Sequence, residues 1–237
     1  PPSPQPPQIR VEHLPHTIQS AICASIPAIG RQHPDYVDLR HAVIALGGYF
    51  GSRLMTNIRE RKGLTYGIGA ALIGVRKSGM VQISAQCDTE YTDTVVEEIR
   101  NELKLLASEP MCEDEMTRLR RDVMSTLATT LDTPLSIMDY YESALLAGIP
   151  NGYYAAQVRS ITSMTPERLC RLAACYLHPE ELRIAIATIL ADIHFIPKIT
   201  GGGRYTHVCQ PPPAFAYVCL SASARLYIRF CKHTAIP

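Results

Sequence analysis

Residues 46–66 read LGGYFGSRLMTNIRERKGLTY, and the glycines in this stretch divide the chain into elements on either side of it. Ahead of it, Tyr36, Leu39, Val43 and Leu46 fall at helical spacing behind Pro34, which predicts a helix over 34–46 that runs into Gly47-Gly48. A second helical piece is expected from Gly51 to Arg61. Gly63 ends it, because a glycine just past the last turn takes the left-handed conformation that satisfies the orphan carbonyls. Two strands follow, Tyr66 to Val75 and Met80 to Cys87. The polar Arg76-Lys77-Ser78-Gly79 between them predicts an antiparallel hairpin.

Working outward, Thr17 to Ile29 alternates as a strand with Ile18, Ser20, Ile22, Ala24 and Ile26 on one face. In Tyr91 to Ser108 an apolar stripe of Val95, Ile99, Leu103 and Leu106 marks an amphipathic helix. Met116, Leu119, Val123, Leu127 and Leu131 do the same in Glu113 to Leu131, whose first turn carries Glu113, Asp114 and Glu115 against the helix dipole. Thr165-Pro166-Glu167 opens a shorter helix that continues to Leu177, and Leu182 to Ile189 alternates as a last strand. The order β, α, α, β, β, α, α, α, β predicts an α+β fold. It is a mainly antiparallel sheet with long helices packed on one face, with room for one or two further edge strands.

At the front, Pro1 to Gln8 holds five prolines, and residues 1–16 are expected to be a linker or terminus. Residues 17–190 then form one domain. After Asp192 there is no acidic residue, while Lys198, Arg204, Arg225, Arg229 and Lys232 all lie there, broken by Gly201-Gly202-Gly203 and Pro211-Pro212-Pro213. Residues 191–237 therefore read as an irregular basic tail.

The chain has 237 residues, 46% apolar and 19% charged, a globular composition. Residues 1–196 hold 18 of the 23 basic residues and all 22 acidic ones, which argues against a nucleic-acid surface. The most apolar run, Ile184 to Ala191, is too short for a membrane span, and no leader opens the chain. Both observations favour a soluble protein and, with eight cysteines in no C-x-x-C pair, a reducing compartment such as the cytoplasm. No two histidines stand at i, i+4 around a glutamate as zinc hydrolases require, and Pro15 between His13 and His16 spoils that pair. Nor is there a nucleophile elbow or a phosphate loop. No self-sufficient active site is expected.

Within 46–66, Leu46, Gly47, Gly48, Ser52, Arg53, Leu54, Arg59, Glu60, Gly63, Leu64 and Tyr66 match a family pattern of leucine, two glycines, Ser-Arg-Leu and Arg-Glu-x-x-Gly-Leu-x-Tyr. In these residues the chain resembles the second, non-zinc half of peptidase family M16, the group of pitrilysin, insulinase and the mitochondrial processing peptidase. The order of elements over 17–189 fits the same half-domain. The resemblance implies two homologous halves closing around a peptide. One half holds zinc through H-x-x-E-H and a downstream glutamate; the other lends an arginine and a tyrosine seven residues apart. Here those are Arg59 and Tyr66. This chain would bind no metal itself, and its partners would be a zinc-bearing half, fused or separate, and a peptide.

The chemistry suits that role. Attack on a peptide carbonyl builds negative charge on its oxygen, and a guanidinium and a phenol O–H are donors for it. Seven extended residues span roughly 23–25 Å, so only the fold-back at Gly63 could bring both to one surface. Arg53 is expected to pair with an acid on a neighbouring helix, and Gly47-Gly48 to permit tight packing. Two alternatives stand beside this reading. One is a structural or assembly subunit of the same fold, like the core proteins of respiratory complexes; the other is a peptide-binding module without catalysis.

Overall fold

A computed structural model describes residues 8–13 and 18–188 of the chain. The basic tail after Asp192, His16 and Cys209, Cys219 and Cys231 lie outside the described residues. Five strands, β1 (Ile9–His13), β2 (Gln19–Ile29), β3 (Gly67–Gly74), β4 (Ser78–Asp88) and β5 (Arg183–Thr188), form one sheet in the order β1-β5-β2-β4-β3. Six α-helices accompany it: α1 (Tyr36–Gly47), α2 (Thr92–Ser108), α3 (Glu113–Thr130), α4 (Pro134–Leu146), α5 (Tyr153–Ser163) and α6 (Pro166–Tyr176). Between α1 and β3, Met55–Arg61 winds as a π-helix.

Alternation decides which side of the sheet carries the helices. Ser20, Ile22, Ala24 and Ile26 of β2 are buried, and the register sets Ile22 opposite Ala85, Ala24 opposite Ile83 and Ile26 opposite Val81. On the other flank Ile22 faces Ile186 and Ala24 faces Ile184. The apolar side chains among these enter one core with Val95, Ile99, Leu103 and Leu106 of α2 and Met116, Leu119, Val123 and Leu127 of α3. A one-residue slip in any of these pairings would turn an apolar set out to water, so the register is strongly specified. Two polar links lock the layers. Thr92 at the start of α2 donates to Ser20 at 2.7 Å, and Ser20 donates to Thr188 at 2.8 Å. Buried Asp38 on α1 accepts from Ser160 of α5 and Arg168 of α6.

The α+β reading holds, with corrections at four places. Residues 9–13, assigned to the Pro-rich linker, form β1, which pairs in parallel with β5 so that Ile9 meets Ile184 and Val11 meets Ile186. Residues 134–163, left without elements, hold α4 and α5. Ile18, placed on the buried face of the first strand, stands one residue before β2 and is 89% exposed. The predicted cap at Thr165 forms, accepting the N–H of Arg168 at 3.2 Å. The predicted hairpin forms too, but it closes through residues 75–77 and not 76–79, since Ser78 and Gly79 already belong to β4, with Gly74 opposite Gly79.

Candidate functional site

α1 ends where Gly47 approaches β3 so closely that a Cβ there would lie 2.6 Å from the backbone nitrogen of Ala70 and 2.7 Å from its Cβ. No residue but glycine lets the helix sit that near the strand, which is the packing role expected of Gly47. A turn then closes with the Ser52 N–H on the Tyr49 carbonyl at 3.1 Å, leaving Phe50 at its tip. Leu54 and Ile58 are fully buried and fix the next coil to the core by one edge.

The opposite edge of this coil is tied down by charge. Arg53 reaches Glu115 of α3 at 3.3 Å, the pairing expected for it. Asn57 donates to Glu98 at 3.0 Å and to Glu102 at 2.8 Å, both on α2, and Lys62 sits 2.5 Å from Glu98. Burial pushes the Glu102 carboxyl above its usual range, against the opposing pull of Arg53 and the Asn57 amide. A hollow of about 560 Å³ lined by Asn57, Arg61, Lys62, Glu98 and Glu102 opens beside these groups, and neither Arg59 nor Tyr66 lines it.

The coil closes on Gly63 at φ +63°, in the left-handed region that favours glycine. The Gly63 N–H bonds the Arg59 carbonyl at 3.1 Å and the Leu64 N–H bonds the Ile58 carbonyl at 3.0 Å. Each bond reaches one residue further back than in the same closure of an α-helix, because the coil is π-wide. Thr65 then joins the chain to the sheet. Its buried hydroxyl donates to the Gln86 carbonyl at 2.5 Å and accepts the Gly67 N–H at 3.2 Å, while the Tyr66 N–H bonds Gln86 O at 3.1 Å. Tyr66 enters β3 in the same phase as Ile68 and Ala70, which face the helices.

Arg59 and Tyr66 thus stand at the two ends of one braced fold-back. The Tyr66 ring is 64% exposed, and among the described residues its hydroxyl has no hydrogen-bond partner. Arg59 is half-buried, and its guanidinium lies over the Phe50 ring at 5.3 Å. No carboxylate among the described residues pairs with it, although Arg53 and Lys62 on the same coil are both paired. Also among the described residues, no three His, Cys, Asp or Glu side chains converge as a metal site. No helix there is long and apolar enough to cross a membrane.

Sequence reasoning missed Phe50, Asn57 and Thr65. Asn57 left a faint signal, since asparagine is a poor residue inside a helical coil unless its amide has a partner. Thr65 left another, as a hydroxyl two residues ahead of a glycine favours a side-chain turn. An aromatic at a turn tip carries none.

A five-stranded sheet with helices on one face and an Arg-Glu-x-x-Gly-Leu-x-Tyr fold-back at one edge is the architecture of a peptidase M16 inactive domain. The model of the peptidase M16 inactive domain matches residues 1–123, and the chain belongs to that family. An uncharacterized zinc protease of Rickettsia bellii is 30% identical over 105 residues, 42% of this chain and 25% of that protein. One of Streptomyces coelicolor is 23% identical over 151 residues, 64% of this chain and 33% of its own. The crystal structure of a peptidase M16 inactive domain from Pseudomonas fluorescens superposes with a TM-score of 0.70 at 22% identity, over 77% of this chain and 44% of that one. The chain therefore spans a quarter to a third of the curated relatives it matches.

Proposed function

We propose that this chain is the zinc-free half of an M16-type metalloendopeptidase and that Arg59 and Tyr66 bind peptide carbonyl oxygens beside a zinc held by a partner half. One observation supports the reading above the others. On a coil where Arg53, Asn57 and Lys62 are committed to carboxylates of α2 and α3 and Arg61 opens on the hollow beside them, Arg59 and, just past the coil, Tyr66 keep their donors free of any carboxylate among the described residues. Such donors are of use to a ligand, and a group that faces substrate from across an interface need not line a pocket of its own chain.

Arg59 brings a permanent charge and a planar set of N–H donors, which suit a carbonyl oxygen that becomes negative as it is attacked. Tyr66 brings one phenol O–H from the residue just ahead of β3. Their braced coil keeps both in place, so little ordering is needed when the charge develops. The zinc of the partner half would supply the nucleophile and the Lewis acid.

The test is reconstitution. The chain alone should leave a quenched fluorescent peptide intact, and mixing it with its zinc-bearing half should give cleavage. Arg59→Ala should lower kcat about 10²-fold or more, the loss typical of an oxyanion donor, and Tyr66→Phe about 2–10-fold, both with little change in KM. Full activity in both variants would end this reading. If no zinc-bearing half can be matched to it and the chain travels with membrane-complex subunits, the structural-subunit reading replaces it.

A further inference from the structure

Four arginines of this chain are held in different ways. Arg53 is spent on Glu115, Arg120 on Glu113 and the Met164 carbonyl, and Arg168 on Asp38. In each case an oxygen takes the N–H donors along the edge of the guanidinium, and the carboxylate offsets its charge. The Arg59 guanidinium instead has its carbon over the face of the Phe50 ring, 5.3 Å from the centroid. That separation lies within the range at which a ring quadrupole attracts a cation.

We propose that Phe50 is the positioning residue of Arg59: it orients the guanidinium through the π face and leaves the edge donors and the full charge free for substrate. A guanidinium carries five N–H donors in its plane and none perpendicular to it, so stacking orients the group without consuming one. A carboxylate in the same place would orient Arg59 equally well and disable it.

The placement of Phe50 fits no packing role. Its ring is 63% exposed, so the core does not retain it. It projects from the tip of the turn that Tyr49 and Ser52 close, between the close approach at Gly47 and the buried Leu54, so its backbone is fixed from both sides. A large exposed ring on a fixed turn costs solubility, and Arg59 is what it touches. The proposal rests on the substrate role given to Arg59, and the experiment separates the two.

In the isolated chain, the Arg59 side-chain Nε–H and δ protons should be shifted by the Phe50 ring current. Phe50→Leu should move them to ordinary arginine positions, Phe50→Trp should keep them displaced, and those of Arg53 should not move. Because Phe50 is exposed, the remaining amide spectrum should report an intact fold. In the reconstituted enzyme Phe50→Leu should lower kcat about 2–5-fold, the value of an exposed cation–π contact, and Phe50→Trp should restore it. If Arg59→Ala costs nothing, the substrate reading of Arg59 fails and this proposal with it. If Arg59→Ala is costly while Phe50→Leu leaves either the Arg59 resonances or kcat as they were, only the positioning role is overturned.

Discussion

His41 lies on α1 with 2% of its surface exposed, and neither ring nitrogen has a hydrogen-bond partner among the described residues. Burial, helped by Arg40 and opposed by Asp38, brings its pKa down to about 4. An unfolded chain would protonate the same ring at about 6.5. Above that pH both states are neutral and the residue adds no pH dependence. As pH falls from about 6.5 to about 4, the unfolded state takes up a proton that the folded state refuses, so stability declines over that window. The loss is about 2 kcal/mol at pH 5 and about 3 kcal/mol once pH reaches the folded value. His41→Leu should flatten this acid limb, and urea titrations at pH 7.5 and pH 5 should show the variant gaining on the parent only at pH 5. Equal gains at both pH values would mean that the folded and unfolded states protonate His41 alike.

At the scale of elements, what the sequence made legible depended on how much of a segment's apolar face is buried. The stripes of α2 and α3 were readable because Val95, Ile99, Leu103 and Leu106, then Met116, Leu119, Val123 and Leu127, all enter the core. α4 was not, because it buries Ala144 and leaves Leu135, Met138, Leu145 and Leu146 exposed, so its apolar residues trace no single inward face. The π-wide coil was read as an ordinary helix, since Leu54 and Ile58 four apart satisfy either winding. Gly63 was readable as a stop, and two glycine substitutions now separate backbone strain from crowding. At Gly63 a Cβ would meet nothing within 4 Å, so Gly63→Ala should cost about 1–2 kcal/mol through the left-handed backbone alone. At Gly47, Ala would press on Ala70, an overpacking worth about 1–3 kcal/mol. Thermal melts of Gly63→Ala and Gly63→Asn should differ, with Asn milder because it tolerates this conformation; at Gly47 the order should reverse, since crowding grows with size and Asn should cost more than Ala.

Across the whole molecule, the sheet gives its two edges different work. β3 carries the fold-back with Arg59 and Tyr66, while β1, four strand spacings or about 19 Å away, joins the start of the described chain to its last strand. That pairing was beyond a local reading. β1 is five residues long and follows a proline-rich stretch, and its partner lies some 175 positions later, at Ile184 to Thr188. Stability and site should therefore separate by edge. The Ile184 N–H bonds the Gln8 carbonyl at 2.9 Å, and in a parallel ladder the groups facing the partner recur every second residue, which makes Arg10 the next to pair. Its side chain is exposed, so Arg10→Ala should be near neutral. Arg10→Pro removes the N–H, strands the Ile184 carbonyl and should cost about 1–3 kcal/mol, seen as a lower urea midpoint with unchanged slope. It should also open the β5 edge to pairing between molecules, giving association that grows with concentration in sedimentation. At temperatures where the variant stays folded, the Arg59 resonances should coincide with those of the parent. A displacement of those resonances by Arg10→Pro would show that the two edges are coupled, and that the brace of the coil on α2 and α3 does not isolate it from the rest of the sheet.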